Sequence, residues 1–257
     1  MTRWMRHCLL SLSTAFLSVV CGDGAAAQVS VDDRIASLQE LVKKKSDDQA
    51  TVVVDGLAQA WGGMSEEEKK KSIAALEKCL SARREEGDDK LFEGVIAAFA
   101  NCGELGQKAT LKSLKSANVD KRPGVLAGAL RSLGFHKNQA NVKTLVDYLV
   151  HNEPRVVAGA AESLGNYADQ PEKSRKPIVE ELVKNYAQYS SAASNTGASN
   201  KEKGMAQERL AVVEKAFKES LQKLTGQEFK DAPAAQKWFN DHKSKKWPDL
   251  NAATGGS

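Results

Sequence analysis

Apolar residues recur at helical spacing in two closely matched stretches of this chain. In residues 125–134, VLAGALRSLG, the positions Val125, Leu126, Ala129, Leu130 and Leu133 fall within one arc of about 140° when each residue advances about 100°. Residues 156–165, VVAGAAESLG, repeat the pattern thirty-one positions later with seven of ten columns identical. Residues 94–103, GVIAAFANCG, lie in the same register, and residues 53–62, VVDGLAQAWG, form a degenerate copy after a longer unit. Each copy ends in Gly, as a helix does when the residue past its end turns left-handed. Gly128 and Gly159 sit beside the apolar arc. A helix-interior Gly costs roughly 1 kcal/mol against Ala, so its reuse at one column predicts the close approach of a neighbouring helix.

A partner helix precedes each of these. Leu111 and Leu114 align, at the same period, with Val142 and Leu145. The unit is therefore helix, short turn, helix. Earlier pairs are predicted over 32–45 with 48–61 and over 66–84 with 89–102, the latter opened by a capping-box sequence from Ser65 to Glu68. A fifth pair is predicted over 175–189, beginning near Pro177, and 205–224. Between its helices, the polar low-complexity stretch 190–203 is expected to be mobile. The β-branched run Val52, Val53 and Val54 falls where a second helix is due, so no strand is predicted. A period of this length denotes stacked supersecondary units. The expected fold is all-α: an α-solenoid, a right-handed superhelix of about five antiparallel helix pairs, over 28–229. A C-terminal capping segment over 230–250 and a disordered tail over 251–257 complete it.

The N-terminus changes the picture of where such a chain works. Arg3 and Arg6 precede an uncharged stretch over 8–20, and small residues end in Ala25, Ala26 and Ala27. This is the pattern of a secretory signal peptide over 1–27, cleaved after Ala27. The apolar stretch is shorter than the roughly twenty residues of a membrane span. A lipid-modified Cys21 is the competing reading, and Ser18, Val19 and Val20 fit its processing site poorly. The expected location is exported, periplasmic or extracellular. The charge balance, 37 basic against 33 acidic residues, does not argue for a nucleic-acid partner, which would show as a concentrated basic face.

Candidate chemistry is sparse. No nucleophile elbow, phosphate loop or dinucleotide fingerprint occurs. His136, His151 and His242 form no metal-ligand spacing, and there is no C-x-x-C, so neither a metal nor a cofactor is indicated. His136 reads as a surface or capping histidine. Cys79 and Cys102 read as small buried apolar residues, Cys102 occupying the column of Leu133 and Leu164. Helical phase puts Ala127 and Arg131, with their equivalents Ala158 and Glu162, opposite the core. Arg131 and Glu162 are placed to pair. The aromatic and cationic stretch 237–247, holding Trp238, Phe239 and Trp247, either caps the last unit or binds a polyanion or membrane surface.

Helix pairs of about thirty residues whose second helix ends in A-x-x-A-x-x-L-G resemble HEAT repeats, in particular the short PBS-lyase HEAT-like type. The residues from Val156 to Gly165, and the copies ending at Gly134 and Gly103, carry the resemblance, with the turn Asn152, Glu153 and Pro154. It covers 89–168 well and 32–84 loosely. The family often places an Arg after the first Val of the second helix, paired with a turn Asp as a ladder between repeats. Here that column holds Val95, Leu126 and Val157, with Arg155 two residues upstream, so no ladder is expected there. Residues 224–229, LTGQEF, followed by Trp238 and Trp247, are similar to the ends of secreted planctomycete-like bacterial HEAT-repeat proteins. In such arrays the second-helix face lines the concave side that holds ligands. The resemblance thus implies a candidate interaction surface of Ala127, Arg131, Arg155, Ala158 and Glu162.

The expected function is a non-enzymatic scaffold for an unknown protein partner, with no nucleic acid or small-molecule ligand indicated. An envelope- or polyanion-binding module using the C-terminal segment is the alternative. A lyase-like enzyme is the remote third, because no residue here matches a lyase site.

Overall fold

The computed structural model describes residues 29–247. The chain there forms α1 (Val31–Lys43), α2 (Asp47–Ala60), α3 (Glu66–Cys79), α4 (Lys90–Ala100), α5 (Gly103–Ser113), α6 (Ala117–Asp120), α7 (Pro123–Phe135), α8 (Val142–Asp147), α9 (Pro154–Gly165), α10 (Glu172–Ser194), α11 (Asn200–Thr225) and α12 (Ala232–His242). Short 3-10 turns flank several of them, and the described residues contain no strand. The fold is all-α. The expected signal segment, its cleavage position Ala27 and the tail 251–257 lie outside the described residues.

Local chemistry sets the helix starts. Ser65 and Glu68 close a reciprocal capping box on α3, and Asp231 caps α12. Pro123 and Pro154 occupy the first turns of α7 and α9, where a missing N–H removes no helical bond. The stretch 190–203, expected to be mobile, is helical at both ends, and only 195–199 lies between α10 and α11. Two features of the sequence account for this. Ala193 is buried, which anchors the end of α10. Ser199 and Glu202 form a second capping box, which starts α11 five residues ahead of the predicted position. Pro177 lies inside α10 rather than at its head, forgoing one helical hydrogen bond.

The second helix of each pair touches the next in chain order: α2 with α4, α4 with α7, α7 with α9, and α9 with α11. Among the first helices, α1 touches α3, α3 touches α5, and α8 touches α10. The apolar columns form the core between them. Val125, Leu126, Ala129, Leu130 and Leu133 are fully buried, as are Val156, Val157, Ala160, Ala161 and Leu164. Cys79 and Cys102 are buried and unpaired, each thiol donating to the carbonyl four residues back. Burial pushes both thiols up to about 11.

The terminal glycines of the copies do not share one role. Gly103 is left-handed, with φ +54°. Gly134 and Gly165 instead remain helical and buried. A Cβ on Gly134 would lie 2.5 Å from Ser163 Cβ, and one on Gly165 would lie 2.8 Å from Ser220 Oγ. The serines answer across the same seams. Ser163 Oγ donates to the Leu130 carbonyl and Ser220 Oγ to that of Ala161, both at 2.8 Å. Leu130 and Ala161 are one column of the thirty-one-residue pattern, so two successive interfaces use the same contact.

Arginine–aspartate rungs form between turns rather than at the helix column where the resemblance would put them. Arg84 donates from Nε and Nη2 to both Asp47 carboxylate oxygens at 2.6 Å, and from Nη2 to the Val42 carbonyl. Arg122 donates to Asp89 at 2.7 Å and to the carbonyls of Arg84 and Glu85, its guanidinium lying over the Phe92 ring. At the other end α12 packs on α10. Trp247 is buried, donating to the His242 carbonyl and packing against Trp238 and Phe239. Lys176 of α10 donates to the Lys245 carbonyl and lies over the Trp247 ring.

Candidate interaction surface

A helix with neighbours on three sides keeps only a narrow stripe open, and α7 is such a helix, touching α4, α9 and both α5 and α6. Its open stripe is Gly124, Gly128, Arg131 and Phe135, spaced by four, three and four residues. Such spacing stacks them along one helix face. Phe135 is 62% exposed at the end of the stripe. Thirty-one residues on, the same columns hold Arg155, Gly159, Glu162 and Asn166.

Of the five residues expected on this surface, three are exposed or half-exposed. Arg131 and Glu162 are partly exposed and pair across α7 and α9 through Arg131 Nε and Glu162 Oε2. Arg155 is exposed at the head of α9 and makes no ion pair among the described residues. Ala127 and Ala158 are buried, at 2% and 7% exposure. The cause is the α7–α9 seam: the Ala127 backbone lies under Gly159, whose Cβ, were it present, would meet the Ala127 carbonyl oxygen at 2.9 Å. The open face of α7 thus keeps Arg131 and has Gly128 in the place expected for Ala127.

Beside this stripe a groove of about 440 Å³ runs between α4 and α7, lined by Ile96, Ala97, Ala100, Gly124, Gly128 and Phe135, with Glu93 and Arg131 at its edges. Gly124, Gly128 and Phe135 were not singled out as surface residues by the sequence, although their spacing was there to be read. Val52 on α2, 70% exposed, belongs to the column of Gly124 by the degenerate copy. The surface is thus apolar and poor in side chains at its centre, with charges at its margins.

Little else among the described residues has the makings of a reactive site. No group of three or more His, Cys, Asp or Glu side chains there is placed to hold a metal ion, and no helix is long and apolar enough to cross a membrane. His136 ends α7, half-buried, with Nε2 enclosed and unpartnered. Burial holds its pKa below the usual value, against the opposing pull of the Phe99 backbone. His242 stacks on Trp238 and contacts its carbonyl through Nδ1, and His151 Nδ1 accepts from the Glu153 N–H.

Comparison with protein-family models, curated proteins and solved structures found no match. What the chain does must therefore be read from this surface.

Proposed function

We propose that this protein is an exported, non-enzymatic scaffold of the HEAT-repeat type, a right-handed α-solenoid that holds a protein partner against its second-helix face. The N-terminal sequence pattern supports export to the periplasm or beyond. The chain-order contacts of α2, α4, α7, α9 and α11 support a stacked array. The observation that carries the binding role is Phe135, an aromatic ring 62% exposed beside a groove floored by Gly and Ala. Solvated aromatic rings next to apolar hollows mark interaction sites, because aromatic anchors supply much of the energy of protein interfaces.

The C-terminal segment reads better as a cap than as a polyanion platform. Its Trp238, Phe239 and Trp247 rings contact one another and α10, leaving no row of open rings on which bases could stack.

Crosslinking in intact cells, with mass spectrometry of the proteins joined to this chain, tests the reading. The expected result is a reproducible protein adduct that Phe135→Glu abolishes while the helical circular-dichroism signal is kept. Equal recovery with Phe135→Glu would remove the groove from the proposal, and no reproducible adduct would remove the scaffold.

A further inference from the structure

Hollows on this molecule mostly answer their own charges. In the α4–α7 groove Glu93 stands against Arg131. At the head of α2, Asp47, Asp48 and Asp88 answer Lys45, Arg84 and Lys90, and beside α1 Glu68 answers Arg34. Two neighbouring grooves on the first-helix side break this balance. One, of about 440 Å³, lies between the ends of α1 and α3, and the other, of about 470 Å³, between the ends of α3 and α5. Lys43, Lys78, Lys112 and Lys115 line them, all exposed. Glu77, held by Lys112, is the one carboxylate among the described residues that line either groove. Glu40, whose charge Lys43 also feels, is held by Lys44, and the acidic turn residues Glu85, Glu86 and Asp88 line neither groove. Lys43, Lys78 and Lys115 make no ion pair among the described residues.

Helix chemistry accounts for only part of this. Lys43, Lys78 and Lys112 lie in the last turns of α1, α3 and α5, where a cation favours the helix dipole. The first helices farther along, α8 and α10, carry no basic residue in their last turns, so the dipole does not demand one. Lys115 lies beyond the end of α5. On α10 and α11, by contrast, Lys176, Lys184 and Lys218 each find a carboxylate on their own helix. The floors of the two grooves are apolar and short-chained, with Ala75 and Ala82 in one and Ala74 and Ala109 in the other. Apolar surface is therefore recessed below the lysine heads, and Lys78 belongs to both grooves.

We propose that this face docks an acidic amphipathic segment of a protein partner. Its apolar side chains enter the two grooves, and its carboxylates meet Lys43, Lys78 and Lys115. Recession of the apolar floor decides against a membrane surface. Interfacial binding needs apolar or aromatic side chains that project into the lipid, and none of the large exposed hydrophobic residues lines these grooves. Adjacent grooves on a row of packed helices lie one interaxial distance apart, about 8–10 Å. A bound helix meets that spacing with apolar residues seven positions apart, about 10 Å by helical rise. This face is distinct from the α4–α7 groove and does not involve Phe135.

Fluorescence anisotropy with the purified full chain tests it. The probe is a labelled synthetic helix of about twenty residues, rich in glutamate, with leucines seven positions apart on one face. Control peptides carry serine for each leucine or lysine for each glutamate. The leucine–glutamate peptide is expected to bind, and each control to bind about tenfold or more weakly. Two variants of the chain should each raise the Kd of that peptide about tenfold or more, with the helical circular-dichroism signal kept. One combines Lys78→Glu with Lys115→Glu; the other is Ser81→Leu, which obstructs the wall common to both grooves. Absence of binding overturns the proposal, as does binding indifferent to both variants or equal binding of the serine control. Phosphatidylglycerol vesicles bound by the wild type and lost by the charge-reversed variant, with no peptide bound, would assign the face to a membrane and overturn it too. Phe135→Glu should leave peptide binding unchanged, so this test and that of the α4–α7 groove fail independently. Loss of peptide binding in Phe135→Glu would place the peptide on the other face and overturn the proposal.

Discussion

The two halves of the helix array hold together by different chemistry. From α7 through α9 to α11 the helices meet backbone to backbone, through Gly134 on Ser163, Gly159 on Ala127 and Gly165 on Ser220, with serine hydroxyls reaching carbonyls across the seam. From α2 through α4 to α7 the space is filled by larger side chains, Phe92, Ile96 and Phe99, all buried. There the turns are clamped by Arg84 and Arg122. One period along the sequence thus supports two kinds of interface. Where glycine lets backbones touch, short side chains complete the contact and the enclosed turn arginine has no counterpart: Glu153 occupies the column of Arg122, thirty-one residues on. Where bulky residues hold the helices apart, a long guanidinium spans the turns.

The largest test of that contrast is Arg84→Ala. The Arg84–Asp47 pair is mostly enclosed, with side-chain exposures of 4% and 17%, and removing one member of a buried pair costs about 3–5 kcal/mol. Arg131→Ala breaks a pair that is 50% and 39% exposed and should cost about 0–1 kcal/mol. Urea unfolding of the two variants ranks them. Equal losses would mean that the turn clamp is ornamental. Next comes Gly134→Ala on the close-packed side. Its Cβ would stand 2.5 Å from Ser163 Cβ and 2.6 Å from Ser163 Cα, so backbone must move, at about 1–3 kcal/mol. A variant as stable as wild type would show that the seam yields freely.

Much of this fold was legible in the chain because the apolar columns are local, and local periodicity reports helices. All ten core positions named for α7 and α9 are buried. What failed to read was whatever depends on a partner distant in sequence. Arg84 meets Asp47 across 37 residues and Arg122 meets Asp89 across 33, and neither has a local signature. The terminal glycines read as helix ends because a C-terminal Gly usually is one; only the neighbouring helix shows that Gly134 and Gly165 are contact points. Ala127 and Ala158 read as open positions for a similar reason, although both are buried. Phase alone assumes burial on one side, whereas α7 is covered on three, and the narrower opening excludes Ala127. The capping box at Ser199 and Glu202 has a local signature, but the polar composition around it masks the helix start.

Gly128 and Gly159 occupy one column, so the same substitution at both sharpens the contrast within a single repeat period. Gly128→Ala gains helix propensity with room to spare and should stabilise by about 0.5–1 kcal/mol. In Gly159→Ala the new Cβ meets the Ala127 carbonyl oxygen at 2.9 Å and Cα at 3.0 Å, so overpacking outweighs the propensity gain and the net is a loss of about 1 kcal/mol. Midpoints in urea for the two variants, read at concentrations where the chain is a single species, should move in opposite directions. Movement of both in the same direction would undo the distinction between a packed and an unpacked glycine.

The smallest effect should come from His136, at the end of the α4–α7 seam. Its Nε2 is enclosed without a hydrogen-bond partner, and burial lowers its pKa from the ordinary 6.5 although the Phe99 carbonyl opposes the shift. The neutral ring is therefore the folded form, and the unfolded chain takes up the proton first as pH falls. Stability rises with pH wherever the unfolded state binds more protons, so this contribution is complete above the unfolded pKa and is lost as pH falls through about 6.5 toward the lower folded value. His136→Gln removes the titration while keeping a polar group of similar reach. Between about pH 7.5 and about pH 5.5, wild type should lose more unfolding free energy than this variant. Identical pH slopes would mean that the ring opens to water at no cost, and that the wide seam is looser at its end than its enclosed Nε2 implies.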